Sequence, residues 1–124
     1  MAKLGEDIIG TSALPAFFKV DNADEVGITA PENRMGDALR TWVRSFSGFQ
    51  KEAFVRSAKT GDTWRFVSDE GPYLNGYDAA CCPLAFLSCS MVASFMNEII
   101  ALADQQGIEI RKLKLIQDNY YTMK

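Results

Sequence analysis

Residues 79–96 read AACCPLAFLSCSMVASFM, 18 positions without a charged side chain. That length sits at the lower limit for a helix that crosses a bilayer. Pro83, three serines and the polar pair Asn97-Glu98 weigh against a span, and no basic flank marks a cytoplasmic side. The stretch therefore reads as the buried central helix of a globular domain rather than a membrane anchor. With Pro83 in the first turn and Gly107 as the stop, the helix covers about residues 83–106, roughly 36 Å at 1.5 Å per residue. At 100° steps Leu84, Cys89, Val92, Phe95, Ile99 and Leu102 fall in a broad apolar sector. Ser90, Ser94, Asn97, Glu98, Asp104 and Gln105 form a narrow polar stripe opposite. A helix apolar over most of its circumference belongs in a core.

Upstream, Ala53–Ser57 and Thr63–Val67 are apolar-aromatic runs separated by Lys59-Thr60-Gly61-Asp62, which predicts an antiparallel hairpin. Asp69-Glu70-Gly71-Pro72 and Asn75-Gly76 punctuate a loop between this hairpin and the helix. Further back, Met35, Leu39, Trp42, Val43 and Phe46 recur at helical spacing after Thr29-Ala30-Pro31-Glu32, predicting an amphipathic helix over about residues 31–47. Residues 1–30 are weakly patterned and read as an irregular extension. Downstream of Gly107, Ile108, Ile110, Leu113 and Leu115, interleaved with Arg111, Lys112 and Lys114, predict a strand. The chain thus divides into an N-terminal extension with a helix, residues 1–48, and an α+β portion, residues 49–124.

At 124 residues the chain is one domain, long enough to bury a real core. It contains no histidine. That zero removes the commonest general base near neutral pH and the commonest transition-metal ligand, and with them Ser-His-Asp triads, Cys-His dyads and HExxH zinc sites. A net charge of −3 with scattered basic residues argues against nucleic acid. The three cysteines, Cys81, Cys82 and Cys89, lie within nine residues, which is no extracellular disulfide framework. The start MAKLGEDIIG lacks the apolar run of a signal peptide, so the expectation is a cytoplasmic protein.

Cys82 directly precedes Pro83, at a helix start where the dipole and free N–H groups favour a thiolate. It is the candidate nucleophile; the alternative is a small buried hydrophobe. Cys89, about 10 Å further along the helix, is too far from Cys82 for a disulfide and reads as packing. The CC-x6-C spacing lacks the CxxC chelate and has no His to complete it, so no metal is expected. Ser94 and Glu98, at i and i+4 in the polar stripe, must meet water in a cleft or pair across an interface. In a cleft, Glu98 is a candidate acid/base with Ser94 as its hydrogen-bonding neighbour. No Gly-rich phosphate loop of either the P-loop or the dinucleotide type is present, so a nucleotide cofactor has no positive support, and the identity of any cofactor is left open.

The stretch WRFVSDEGPYLNGYDAACCPLAFLSCSMVASFMNEIIALADQQGI, two strands, a DEG-type loop, then Pro opening a long apolar helix that ends at Gly-Ile, resembles the OsmC/Ohr family over about residues 50–124. The resemblance implies an intertwined α+β assembly and, in the best known members, reduction of organic hydroperoxides by a cysteine inside the long helix. Counted from Pro83, the family's Pro-Glu step falls on Leu84 and the peroxidatic cysteine position on Ser94. The family's second cysteine lies in a later helix that this chain does not reach. A serine hydroxyl without a base cannot replace a low-pKa thiolate. The expectation is therefore an OsmC-like fold completed by a second polypeptide, another subunit or the other half of a cleaved precursor. The activity expected is that of an oligomeric enzyme on a small organic molecule rather than a standard hydroperoxide reductase. A non-catalytic structural or ligand-binding subunit and an atypical thiol peroxidase using Cys82 or Cys89 are the alternatives.

Overall fold

A computed structural model describes residues 9, 12, 14–34 and 36–122; the first eight residues, Met35 and Met123, on which parts of the sequence reading rest, lie outside that set. The described chain is α+β, with one four-stranded antiparallel sheet and one long helix. It divides into two units, Met1–Pro83 and Leu84–Lys124.

The first unit is built on the expected hairpin, β3 (Lys51–Ser57) and β4 (Thr63–Ser68), with Val55 opposite Trp64 and Ala53 opposite Phe66. Alternating β-branched and aromatic side chains suit a pleated surface. The turn closes through Ser57 N–H donating to Asp62 O at 3.0 Å and Gly61 N–H to Ser57 O at 2.9 Å. Gly61 has φ of 74°, a left-handed conformation that glycine adopts without steric cost. Two strands flank the hairpin: β1 (Phe17–Lys19) pairs with β4 and β2 (Leu39–Ser45) with β3, giving the order β1-β4-β3-β2.

The two faces of this sheet differ. On one, Glu52 and Arg65 are buried at 5% and 4% exposure beside Phe54 and Val67. Glu52 accepts Arg65 Nε at 2.8 Å on one oxygen and Arg44 Nε at 2.7 Å on the other. The preceding segment runs over this face: Arg65 Nη1 donates to Pro15 O at 3.0 Å, Arg56 Nη1 to Ile28 O at 2.6 Å, and Ile28 is buried. The buried Glu52 and Arg65 charges are thus paired with each other and hydrogen-bonded, as low-dielectric surroundings require. On the opposite face Phe17, Leu39, Val43 and Trp64 are exposed, with Phe17 against Trp64 and Phe66 at ring-centroid distances of 5.5 and 5.7 Å.

Two expectations for residues before 49 are corrected here. The segment predicted as an amphipathic helix over 31–47 contains β2, and no helix is present among its described residues. Leu39, Trp42 and Val43 satisfy helical spacing, but Thr41, Trp42 and Val43 are also residue types that a pleated strand favours. Seven register pairs with β3, from Leu39 opposite Ser57 to Ser45 opposite Lys51, decide for the strand. The segment read as irregular contributes β1 and a single 3-10 turn, Ala23–Val26, capped by Asn22. A boundary at 48/49 therefore runs through a single sheet.

The second unit, from Leu84, holds the helix α1 (Pro83–Gln105) apart from its first residue, and the segment that follows. Pro83 is its first residue, where a missing N–H costs nothing. It ends in a Schellman motif: Ile108 N–H donates to Ala103 O at 2.9 Å and Gly107 N–H to Asp104 O at 3.2 Å, with Gly107 at φ 67°. The expected strand after Gly107 is absent; described residues 108–122 carry no regular element. They return along the helix, and Asn119 Nδ2 donates to Ser88 Oγ at 2.7 Å. The expectation of a buried helix is also corrected. Among its described residues only Ala103 is buried, and Leu84, Leu87, Met91, Phe95 and Leu102 are exposed. A narrow stripe of Ser88, Val92, Met96 and Ile99 is half-buried and leads to the buried Ala103, and Phe86 is half-buried as well.

Candidate functional site

The loop between β4 and α1 presents the paired cysteines and is organised by one carboxylate. Asp69 is fully buried. Its Oδ1 accepts Glu70 N–H at 2.8 Å, and its Oδ2 accepts Tyr77 N–H and Ala79 N–H, both at 3.1 Å. Between these points the chain makes a 3-10 turn, Pro72–Leu74, and Gly76 packs against the Glu70 backbone. A Cβ on Gly76 would lie 1.8 Å from Glu70 O, so only glycine fits. The loop returns to the sheet at Cys81, whose carbonyl accepts the Ser68 hydroxyl at 2.8 Å and Asp69 N–H at 3.1 Å. Cys81 is exposed, Cys82 half-buried, and both are free thiols. Cys82 thus stands at the junction of an ordered loop and the first residue of α1, the helix-start setting expected from the sequence.

Ser94 and Glu98 share one face of α1, one turn apart, and both are exposed. Around them on that face stand Leu87, Met91, Phe95 and Leu102. Glu98 lines an open hollow of about 280 Å³ with Phe95, Ile99 and Leu102. A second hollow, of about 290 Å³, lies where Met96, Ile100 and Ala103 of the helix face Ile108 and Leu113 of the returning segment, with Asp104 and Arg111 also lining it. Each is at the small end of ligand-sized cavities. Cys89 is exposed on the helix rather than packed, contrary to the sequence reading. Among the described residues no cluster of three or more His, Cys, Asp or Glu side chains is gathered for a metal ion.

Two groupings had no signal in the sequence. Asp69 reads there as one acid in a DEG turn, and only the fold shows its carboxylate collecting three backbone donors across ten residues. Ser88 lies over thirty residues from Asn119 and Tyr121, yet Asn119 Nδ2, which donates to Ser88 Oγ, also reaches Tyr121 Oη at 3.1 Å, and Ser88 Oγ and Tyr121 Oη are 3.2 Å apart. This hydroxyl-amide-phenol group pins the returning segment to the helix. It contains no base that would activate Ser88 as a nucleophile.

No family model, curated protein or solved structure matches this chain.

Proposed function

We propose that this chain is an OsmC-like subunit of an oligomeric enzyme acting on a small organic molecule, with a second polypeptide covering α1. The observation that carries the reading is the exposed apolar face of α1, which holds Ser94 and Glu98 among Leu87, Met91, Phe95 and Leu102. Exposed apolar surface of this kind marks an interaction site. Covering it would turn the open hollow beside Glu98 into an enclosed pocket with a carboxylate and a hydroxyl in its wall. Burial there would suit Glu98 to proton transfer, with Ser94 as a hydrogen-bonding neighbour and Cys82 as the candidate nucleophile at the helix start.

The helix is also long and apolar enough to cross a membrane, with a window of mean hydropathy 1.6. Ser90, Ser94, Asn97, Glu98 and Asp104 along its length favour a protein partner, because polar and charged groups are costly in a bilayer core. A dithiol hydroperoxide cycle is disfavoured by Ser94 at the position the resemblance reserves for the reactive cysteine.

Native mass spectrometry tests the assembly. The expected result is a species heavier than the 13.8 kDa chain, whether through a second copy or another polypeptide. Phe95→Asp, at a side chain already 61% exposed, is expected to shift that species to the single chain without unfolding it. A stably folded 13.8 kDa monomer from the unsubstituted protein refutes the reading, as does recovery only in detergent-extracted membranes. In the assembled complex Cys82→Ala and Glu98→Gln are each expected to lower turnover. Full activity in both removes these residues from the chemistry, and thiols inert to alkylation would instead mark a non-catalytic subunit.

A further inference from the structure

Cys81 and Cys82 are consecutive, and the carbonyl that ties the loop to the sheet belongs to the amide joining them. Ser68 Oγ–H at 2.8 Å and Asp69 N–H at 3.1 Å both converge on Cys81 O. We infer that Cys81 and Cys82 form a reversible vicinal disulfide, a modification site that reacts with small-molecule disulfides and releases this tie when it closes. The inference does not depend on the proposed activity, since the thiols can be followed without any substrate.

The exchange balances as follows. The Cys81 thiolate, on the more exposed residue, attacks one sulfur of a disulfide RSSR. The Cys81–SR bond forms, the RS–SR bond breaks, and the departing thiolate takes up the proton that Cys81 lost. The Cys82 thiolate then attacks Cys81 Sγ, the Cys81–Cys82 bond forms, and the second RS group leaves as a thiol with the proton from Cys82. Two cysteine thiols are oxidised and one RSSR is reduced to two RSH.

Consecutive Cα atoms are held about 3.8 Å apart by a trans peptide, whereas disulfides ordinarily span about 4.4–6.8 Å between Cα atoms. The eight-membered ring therefore closes only by rotating or twisting the intervening amide. That amide carries the carbonyl held by Ser68 and Asp69, so ring closure and the two hydrogen bonds compete. The strain also makes the bond readily reducible, the character of labile and regulatory disulfides. Oxidation would loosen the Asp69 loop at its return to the sheet, next to the first residue of α1.

The test uses the full chain carrying Cys89→Ser, which leaves only the adjacent pair; Cys89 is exposed, so the fold should tolerate the change. Treated with dithiobisnitrobenzoate, it is expected to release two equivalents of the aromatic thiol, lose two hydrogens in mass and retain no adduct. Cys81→Ser and Cys82→Ser, each combined with Cys89→Ser, are expected to release one equivalent and keep the mixed disulfide. Fragment masses of the unsubstituted protein should place the bridge at 81–82. Hydrogen exchange at the Asp69 amide is expected to quicken roughly tenfold on oxidation, the scale of one lost backbone hydrogen bond, and to recover with a dithiol reductant. A stable mixed disulfide on the Cys89→Ser chain overturns the inference. So does a closed ring that leaves Asp69 exchange unchanged.

Discussion

Replacing Asp69 by Asn changes one atom type and tests whether this carboxylate organises the cysteine-bearing loop. Oδ2 takes two backbone donors and Oδ1 one. Turning the new amide so that its oxygen keeps the pair from Tyr77 and Ala79 sets its NH2 against Glu70 N–H, and one bond becomes a clash of donors. Hydrogen bonds to a charged group contribute about 1.5–3 kcal/mol net and neutral ones about 1. One bond lost, about 2 kcal/mol, and two weakened by about 1 kcal/mol each give about 4 kcal/mol. Water reaching the half-buried donors lowers this to about 3 kcal/mol. Both tryptophans of the chain, Trp42 and Trp64, lie in β2 and β4, so their fluorescence reports the unit that contains the loop. With a urea slope of about 1.5 kcal/mol/M, the midpoint should fall by about 2 M at constant slope and fixed protein concentration. A decrease under about 0.4 M, the range of an ordinary surface substitution, refutes the assignment of Asp69 as the loop's organiser.

Glu52→Ala leaves the Arg65 guanidinium at 4% exposure with its carboxylate gone, and is expected to destabilise the sheet by about 3–5 kcal/mol. Arg44→Ala, at a side chain 54% exposed, should cost no more than about 1 kcal/mol, and equal costs from urea melts of the two variants would contradict the burial argument. For Asp37, desolvation pushes its carboxyl up, but N–H groups of Ala38 and Lys59, the Ser57 hydroxyl and the Lys59 charge outweigh it and hold the carboxyl below the ordinary carboxylate range. A lowered native value means that its stabilisation is present above the unfolded-state value, about 3.9, and is lost as pH falls through the native one. Asp37→Asn should therefore flatten the stability profile in that acidic window, and a urea midpoint series showing the same slope for both proteins would contradict it.

The β3–β4 hairpin and the limits of α1 were legible because their causes are local. Gly61 and Gly107 supply the left-handed residues that the turn and the helix end need, and Pro83 opens the helix for steric reasons that involve no distant contact. The position of Cys82 at the helix start was legible for the same reason, since it follows directly from the helix-opening proline beside it. Residues 39–45 were misleading, because Leu39, Trp42 and Val43 fit the helical period while Thr41, Trp42 and Val43 are also residue types that strands favour. The choice belongs to β3, whose backbone donors and acceptors supply what a lone helical pattern cannot. The same limit applies after Gly107, where alternating Ile108 and Ile110 promise a strand but, among the described residues, no neighbouring strand pairs with them.

Charge, the absence of histidine and the apolar length of α1 are properties of the sequence alone, and they set which chemistries are open. The buried Arg65–Glu52 pair, the three donors gathered by Asp69 and the double anchoring of Cys81 were decided by tertiary structure. Each joins groups from different turns or strands, and hydrogen bonds depend on distances that composition and periodicity do not carry. Burial is likewise a tertiary property: the helix that looks like a core from its side chains leaves most of them exposed, because a residue's hydropathy states what it favours and only packing determines what covers it.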